Sequence, residues 1–307
     1  MEVPFVFPGQ GSQYVGMGKD LWNHFDEIKR LYDQASKILG YDVADLSFNG
    51  PVEELDKTFR TQPCLLVVSV AAFIALGLKN VTPSAVAGHS LGEYSALVAA
   101  GSLSFADAVK ITEIRGSIMQ EAVPEGKGLM AAILGLDRSS LDGLCLTVDE
   151  GYVSVANYNC PGQIVVSGEK AAVEALIVKA KAAGAKRALP LAVSVPSHCA
   201  LMEDAGTRFE AILRGFEIRD TTLPFVNNVD ARFISDAEVI RKSLIRQLSQ
   251  SVLWEDCIKT IAMKGMMTFV EVGPGKVLSG LIKRIATGAR TFNVENMESL
   301  NRTVAEL

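Results

Sequence analysis

Residues 84–101 read SAVAGHSLGEYSALVAAG, and the fold is decided in this stretch. Ser84 to His89 has the apolar, small-residue texture of a buried strand, and LGEYSALVAAG reads as a helix that Gly101 stops. Between them lies Gly88-His89-Ser90-Leu91-Gly92, a G-x-S-x-G sequence in the strand-to-helix context that a nucleophile elbow requires. The glycines allow a sharp turn and a close approach of neighbouring backbone. The serine oxygen is then held at the tip, where the helix N-terminus offers N–H groups to a developing oxyanion. The plainer alternative is that small residues simply make a tight turn.

Working outward, Pro4 to Phe7 is a strand, Gly18 to Leu39 a helix, Pro63 to Leu78 a helix and Phe105 to Glu121 another. In the last of these Ala108, Ile111, Ile114 and Ile118 recur at spacings of three and four, so one side faces a core. Strands separated by helices imply a parallel sheet with helices on its faces.

From about Pro124 the texture changes. Leu129 to Leu134 reads as a strand, Arg138 to Leu144 as a short helix, and Tyr152 to Asn157 and Gln163 to Ser167 as strands joined through Cys160-Pro161-Gly162. Lys170 to Ala183 is a helix closed by Gly184, and Lys186 to Leu191 a final strand. That order, β-α-β-β-α-β, is the ferredoxin-like split motif. The expected architecture is α/β: a hydrolase-like parallel-sheet subdomain of residues 1–123 and 192–307, interrupted by a ferredoxin-like unit of residues 124–191. Beyond the insert, a β-type run at Phe225 to Val229, helices through Val239 to Gln247 and Trp254 to Lys264, a strand at Thr268 to Val272 and a helix from Val277 follow.

Composition agrees with a globular chain. Of 307 residues 49% are hydrophobic, 21% charged and 7% aromatic, which rules out disorder for most of the length. A net charge of −5 argues against a protein that grips nucleic acid. Cys64, Cys145, Cys160, Cys199 and Cys257 are scattered and never form a C-x-x-C pair, so neither a disulfide framework nor a structural metal site is expected. The N-terminus lacks a basic region before its short apolar run, and the runs Leu65 to Val68 and Ala71 to Leu76 are broken by Ser69 and ended by Gly77 and Lys79. Neither approaches the ~18 unbroken apolar residues of a membrane span. A cytoplasmic enzyme or binding protein is the expectation.

A serine needs a base, and the chain has 3 histidines. His24 sits in the polar helix WNHFDEIKR, and His89 lies inside the turn itself, where a structural role is expected. His198 follows the strand-like Leu189 to Ser194 in a loop, the place where a parallel sheet presents catalytic groups, and becomes the candidate by elimination. No acid is singled out by spacing; Asp204 and Asp230 are both conceivable. Gly9-Gln10-Gly11-Ser12-Gln13 has Tyr14 where a dinucleotide fingerprint needs its third glycine, and Gly273-Pro274-Gly275-Lys276-Val277 lacks the spacing of a P-loop. Neither supports a nucleotide cofactor; the first is read as a loop that can aim an N–H at the top of the sheet. Arg115 is flanked by apolar periodic positions, where a half-buried guanidinium wants an anion, although an ordinary salt bridge or a snorkelling side chain is the reading the residues alone favour.

Seven blocks in collinear order closely resemble the malonyl-CoA:acyl carrier protein transacylases of bacterial fatty-acid synthesis: FVFPGQGSQYVGMG, TQPCLLVVSVA, AGHSLGEYSALVAAG, RGSIMQEAVPEGKGLMAAILG, VSVANYNCPGQIVVSGE, LPLAVSVPSHCALM and EVGPGKVLSGLIKRI. The resemblance runs from Phe5 to about Ile285. It implies ping-pong transfer: Ser90 takes the malonyl group from malonyl-CoA, and His198 first accepts its proton and later activates the phosphopantetheine thiol of holo acyl carrier protein. It also implies an oxyanion site at the main-chain N–H groups of Gln10 and Leu91, and a histidine oriented by main-chain carbonyls near Gln247 and not by an aspartate. Arg115 matches the arginine that pairs with the malonyl carboxylate, and Gln62 and Met119 match positions close to that pocket. No bound cofactor or metal is implied; the expected partners are malonyl-CoA and the carrier protein, for a monomer acting without membrane or nucleic acid.

One departure is Ser251, where many relatives have proline, within the stretch expected to orient His198. Three other readings compete: a serine esterase or thioesterase, a non-catalytic carrier-protein-binding module, and a trans-acting acyltransferase of a polyketide pathway. Arg115 with the inserted unit argues against the first, and the joint presence of Ser90, His198 and Arg115 against the second. Carrier proteins are typically acidic, so docking on a chain of net charge −5 calls for a local basic patch, for which Lys276, Lys283 and Arg284 are candidates.

Overall fold

In a computed structural model of the chain, residues 2–124, 126–191 and 195–307 are described. Ten strands form two sheets. The larger combines β1 (Phe5–Phe7), β2 (Val86–Gly88), β7 (Phe225–Val226), β8 (Phe233–Ile234), β9 (Thr268–Val272) and β10 (Arg290–Val294) in the order β10-β9-β1-β2-β7-β8. Every pairing is parallel except β7 with β8, a short antiparallel edge. Alternation along β1 sends Phe5 and Phe7 into the core beneath helix Thr58–Leu78 and Val6 into the opposite core with Trp254, Ile258 and Phe269. Burial on both faces is why the central strands β1 and β2 are wholly apolar.

The smaller sheet contains β3 (Gly128–Leu134), β4 (Val153–Cys160), β5 (Gln163–Glu169) and β6 (Arg187–Pro190), antiparallel throughout in the order β4-β5-β3-β6. With helices Arg138–Cys145 and Lys170–Ala182 it closes its own core around Ile133, Leu141, Val166, Val173 and Leu176. The expected return to the first subdomain at residue 192 falls on 192–194, outside the described residues. Elsewhere the two layers are joined by backbone: Val252 N–H donates to the Ala156 carbonyl at 2.8 Å, and Tyr158 N–H to the Val252 carbonyl at 3.0 Å. Arg284 donates to the Pro161 carbonyl and to Gln163 Oε1, both at 2.8 Å, so its charge serves to pin the β4–β5 turn.

Several elements differ from expectation. The helix expected over 18–39 is two, Lys19–His24 and Asp26–Leu39, because Phe25 adopts an extended conformation (φ −128°, ψ 122°). The helix expected from Pro63 begins at Thr58, with the proline inside it. It is the one helix among the described residues long and apolar enough to cross a membrane, but 78% of its most apolar window is buried inside the fold. Seven elements escaped sequence reasoning: helices Val43–Asn49, Val52–Leu55, Glu203–Leu213 and Met297–Glu306, the short 3₁₀ turn Ala200–Met202, and strands β8 and β10. The last helix had a readable signal, since Asn296 and Ser299 form a reciprocal capping box. The Gly273–Gly275 turn does lead from strand to helix; the Glu271 carboxylate already occupies that helix N-terminus, accepting from Leu278 N–H (3.0 Å) and Ser279 N–H (2.7 Å).

Candidate active site

β2 ends at Gly88 and the next helix begins at Gly92, so the chain must reverse within three residues. Ser90 sits at the apex with φ 51°, a left-handed conformation that costs about 1 kcal/mol or more for a residue with a Cβ. Both flanking glycines are obligatory. A Cβ on Gly88 would lie 1.9 Å from the Gly92 carbonyl group, and one on Gly92 would lie 2.1 Å from the Phe7 oxygen. The strained apex is held by side chains: Ser90 N–H donates to Asn228 Oδ1 at 2.7 Å, Asn228 Nδ2 donates to the Gly88 carbonyl at 2.7 Å, and Gln247 Nε2 donates to the Ser90 carbonyl at 3.0 Å.

The structure brings His198 to Ser90, with Nε2 2.8 Å from Oγ. Its Nδ1 is 2.7 Å from the main-chain oxygen of Gln247 and its N–H donates to the Leu248 carbonyl at 3.0 Å. A carbonyl only accepts, so Nδ1 carries the proton and Nε2 turns its lone pair toward the serine hydroxyl. Burial, followed by the nearby Arg115 charge, pushes the His198 pKa down to about 3, which keeps the ring neutral. A neutral imidazole needs no carboxylate behind it. Asp230 is engaged elsewhere, with Arg246 at 2.6 Å, and Asp204 is exposed on its helix. His24 is half-exposed and bonded to the Asp20 carbonyl at 2.7 Å. His89 is half-buried, edge-on to Trp254, with its Nε2 2.9 Å from Asn159 Oδ1.

Arg115 is 1% exposed, and its charge has no anionic partner within ion-pair distance among the described residues. Its contacts are neutral: Nη1 donates to Gln62 Oε1 (2.8 Å), Nη2 to Gln247 Oε1 (2.9 Å) and Ser90 Oγ (3.2 Å), and the Tyr94 ring lies 5.5 Å away. Its Nε has no partner. Neither a salt bridge nor a snorkelling chain describes this arginine. A desolvated cation held by amide oxygens beside a hydroxyl is a site that gains most when an anion arrives. Gln62 is itself steered by Met119, its Nε2 3.6 Å from Sδ.

Ser90, His198, Arg115 and Met119 open on one cleft of about 250 Å³, together with Gln10 and Leu91. Neither the Gln10 nor the Leu91 main-chain N–H donates a hydrogen bond among the described residues, so both remain available to an oxyanion. The small sheet supplies the facing wall through Met130, Asn157, Asn159 and Val165. Gln62 and Gln247 stand behind Arg115. A neutral base on a hydroxyl, two unused N–H groups and a buried cation together can activate a serine toward an acyl carbon that carries an anionic tail.

The sequence family described as acyl transferase domain matches residues 4–301. The malonyl CoA-acyl carrier protein transacylase of Haemophilus influenzae is 49% identical over 299 residues, 96% of this chain and 96% of its own. The chain belongs to that transacylase family. It is an acyltransferase. Among solved structures, a malonyl-transacylase in complex with its type II PKS acyl-carrier protein matches with a TM-score of 0.98 at 48% identity, covering 100% of both chains. An acyl carrier protein S-malonyltransferase from Vibrio cholerae matches at 0.96 and 46% identity, covering 99% of this chain and 100% of that one. The transacylase fold is thus the expected one, a parallel-sheet core with a separate antiparallel sheet. Sequence reasoning missed three contributions: the side chain of Gln247, Asn228 behind the elbow, and Glu93, which bonds to both. Glu93 had a signal, a lone carboxylate in the otherwise uncharged helix GEYSALVA.

Proposed function

We propose that the chain moves the malonyl group of malonyl-CoA onto the phosphopantetheine thiol of a holo acyl carrier protein through a malonyl-serine intermediate. Ser90 Oγ attacks the thioester carbon as His198 Nε2 takes the hydroxyl proton; the carbonyl oxygen becomes an oxyanion facing the Gln10 and Leu91 N–H groups. Collapse breaks the carbon–sulfur bond, and His198 returns the proton to the departing thiolate. In the second half the carrier thiol gives its proton to His198 and its sulfur attacks the ester carbon; the carbon–oxygen bond to Ser90 breaks, and His198 returns that proton to the Ser90 oxygen.

The observation that carries this reading is the unpaired, buried Arg115, with Nη2 3.2 Å from Ser90 Oγ. An acetyl group leaves that cation without an anion, whereas a malonyl carboxylate meets it in bidentate geometry. Water as acceptor would make the protein a thioesterase. A polyketide carrier is a second acceptor supported by the solved relative that holds its type II PKS carrier protein.

The test is to add malonyl-CoA, then holo carrier protein, and follow intact mass on both. The malonyl mass is expected first on the enzyme and then on the carrier, and Ser90→Ala is expected to carry none. Malonate released to water, or an adduct that survives Ser90→Ala, overturns the reading.

A further inference from the structure

The transfer chemistry leaves one buried carboxylate without a part. Glu93 lies in the first turn of helix Gly92–Ala99, is 0% exposed, and lines no part of the cleft. Its Oε1 accepts from Asn228 N–H at 2.5 Å and its Oε2 from Gln247 Nε2. Gln247 turns the other end of its amide, Oε1, to Arg115 Nη2 at 2.9 Å, while Nε2 also reaches the Ser90 carbonyl at 3.0 Å and Asn228 Oδ1 at 3.3 Å.

Donor and acceptor counting gives that amide one orientation. The Ser90 carbonyl, Asn228 Oδ1 and the Glu93 carboxylate all demand a donor, and the guanidinium demands an acceptor. Glu93 supplies the member of that set whose two oxygens both accept, and so decides how firmly Gln247 presents its own oxygen to Arg115.

We propose that Glu93 is a positioning residue: acting through Gln247, it fixes the Arg115 guanidinium beside Ser90 and thereby sets the preference for carboxylated over neutral acyl groups. Burial pushes the Glu93 pKa up to about 8 even against the pull of the Asn228 N–H, Arg115 and Gln247, in that order. Burial holds the Arg115 pKa below its ordinary value, and Tyr94 and then Glu93 oppose that shift without reversing it. This inference rests on the malonyl transfer proposed above.

Glu93→Gln probes it with an isosteric change. Both neighbours of the carboxylate are N–H donors, so either orientation of the new amide sets an NH₂ group against a donor, and Gln247 cannot flip without turning its own NH₂ to the guanidinium. Gln247→Ala removes the relay but keeps the main-chain carbonyl that holds His198. The measurement is kcat/KM for acylation of Ser90 by malonyl-CoA and by acetyl-CoA, in the wild type, both single variants and the double variant. Each single variant is expected to lower the malonyl-to-acetyl ratio by roughly tenfold or more, and the double to fall no further than Gln247→Ala. A structural residue would slow both thioesters equally. Equal slowing, an unchanged ratio, or losses that multiply in the double variant overturn the proposal. If Glu93→Gln does not fold, Gln247→Ala decides alone, because an unchanged ratio there leaves Glu93 nothing to act through. Wild-type protein that forms no malonyl adduct at Ser90 would instead overturn the transfer reading.

Discussion

The two sheets furnish the cleft in different currencies. Around the ends of the parallel strands, groups are placed by backbone and locked by hydrogen bonds: Ser90 at the β2 turn, Gln10 after β1, Asn228 after β7. The antiparallel sheet offers Met130, Asn157, Asn159 and Val165, which line the cleft and make no hydrogen bond to Ser90, His198 or Arg115 among the described residues. In the proposed transfer one region does the chemistry, because a parallel sheet exposes strand ends and helix N-termini along a single edge, and the other supplies shape. The contrast can be broken by changes that treat the two regions alike.

The largest effect is expected at the elbow. Gly88→Ala places a Cβ 1.9 Å from the Gly92 backbone, which can only be relieved by moving Ser90 or the helix. The expected outcome is loss of all Ser90 acylation, with an unfolding free energy lowered by more than about 3 kcal/mol. Wild-type acylation in that variant would show that the tight reversal is dispensable.

Arg115→Ala comes next. Acylation by acetyl-CoA is expected to persist, while the preference for malonyl-CoA falls by about 2–5 kcal/mol, or roughly 30- to several-thousand-fold in the kcat/KM ratio. Loss of the same size for both thioesters would return Arg115 to the status of a structural cation.

These two positions also mark how far the sequence could be read. Gly88-His89-Ser90-Leu91-Gly92 was legible because strand, turn and helix are local, and the glycine pattern has few other uses. The β-α-β-β-α-β order was legible for the same reason, and the sheet it forms has the split-motif order. Arg115 stayed open between a salt bridge and a ligand site until the resemblance weighed in, because its partners Gln62 and Gln247 lie 53 and 132 residues away. Distance in sequence hides such contacts from periodicity. Asn228 and Glu93 were missed on similar grounds, 138 and 135 residues from the groups they hold. The helix break at Phe25 is marked by no glycine or proline, only by a short run of poor helix formers, Asn23-His24-Phe25-Asp26.

In the small sheet, Asn159→Ala is expected to do much less. It removes the acceptor of His89 Nε2 and leaves a half-buried ring nitrogen unpaired, for about 1–3 kcal/mol of stability. The malonyl-to-acetyl ratio should stay within about threefold of wild type, because neither Asn159 nor His89 touches Arg115. A fall in selectivity comparable with that of Arg115→Ala would mean that the wall chooses substrate as well as enclosing it.

The smallest expected effect is none, and it concerns the residue at the return from one region to the other. In the proposed transfer His198 acts as a base only when neutral, and its ordinary pKa near 6.5 would make kcat/KM fall as the pH drops through that value. Burial and Arg115 push the folded value down to about 3, so the neutral form persists on the acid side. The kcat/KM for malonyl-CoA, which reports the free enzyme, should therefore be level between pH 7 and pH 5. Removing Arg115 deletes the second of the two causes, so in Arg115→Ala the acid limb measured with acetyl-CoA should move upward in pH. An inflection near 6.5 in the wild type would mean that His198 is solvated in solution, and that the small sheet does not close over the cleft as tightly as its packing against Val252 implies.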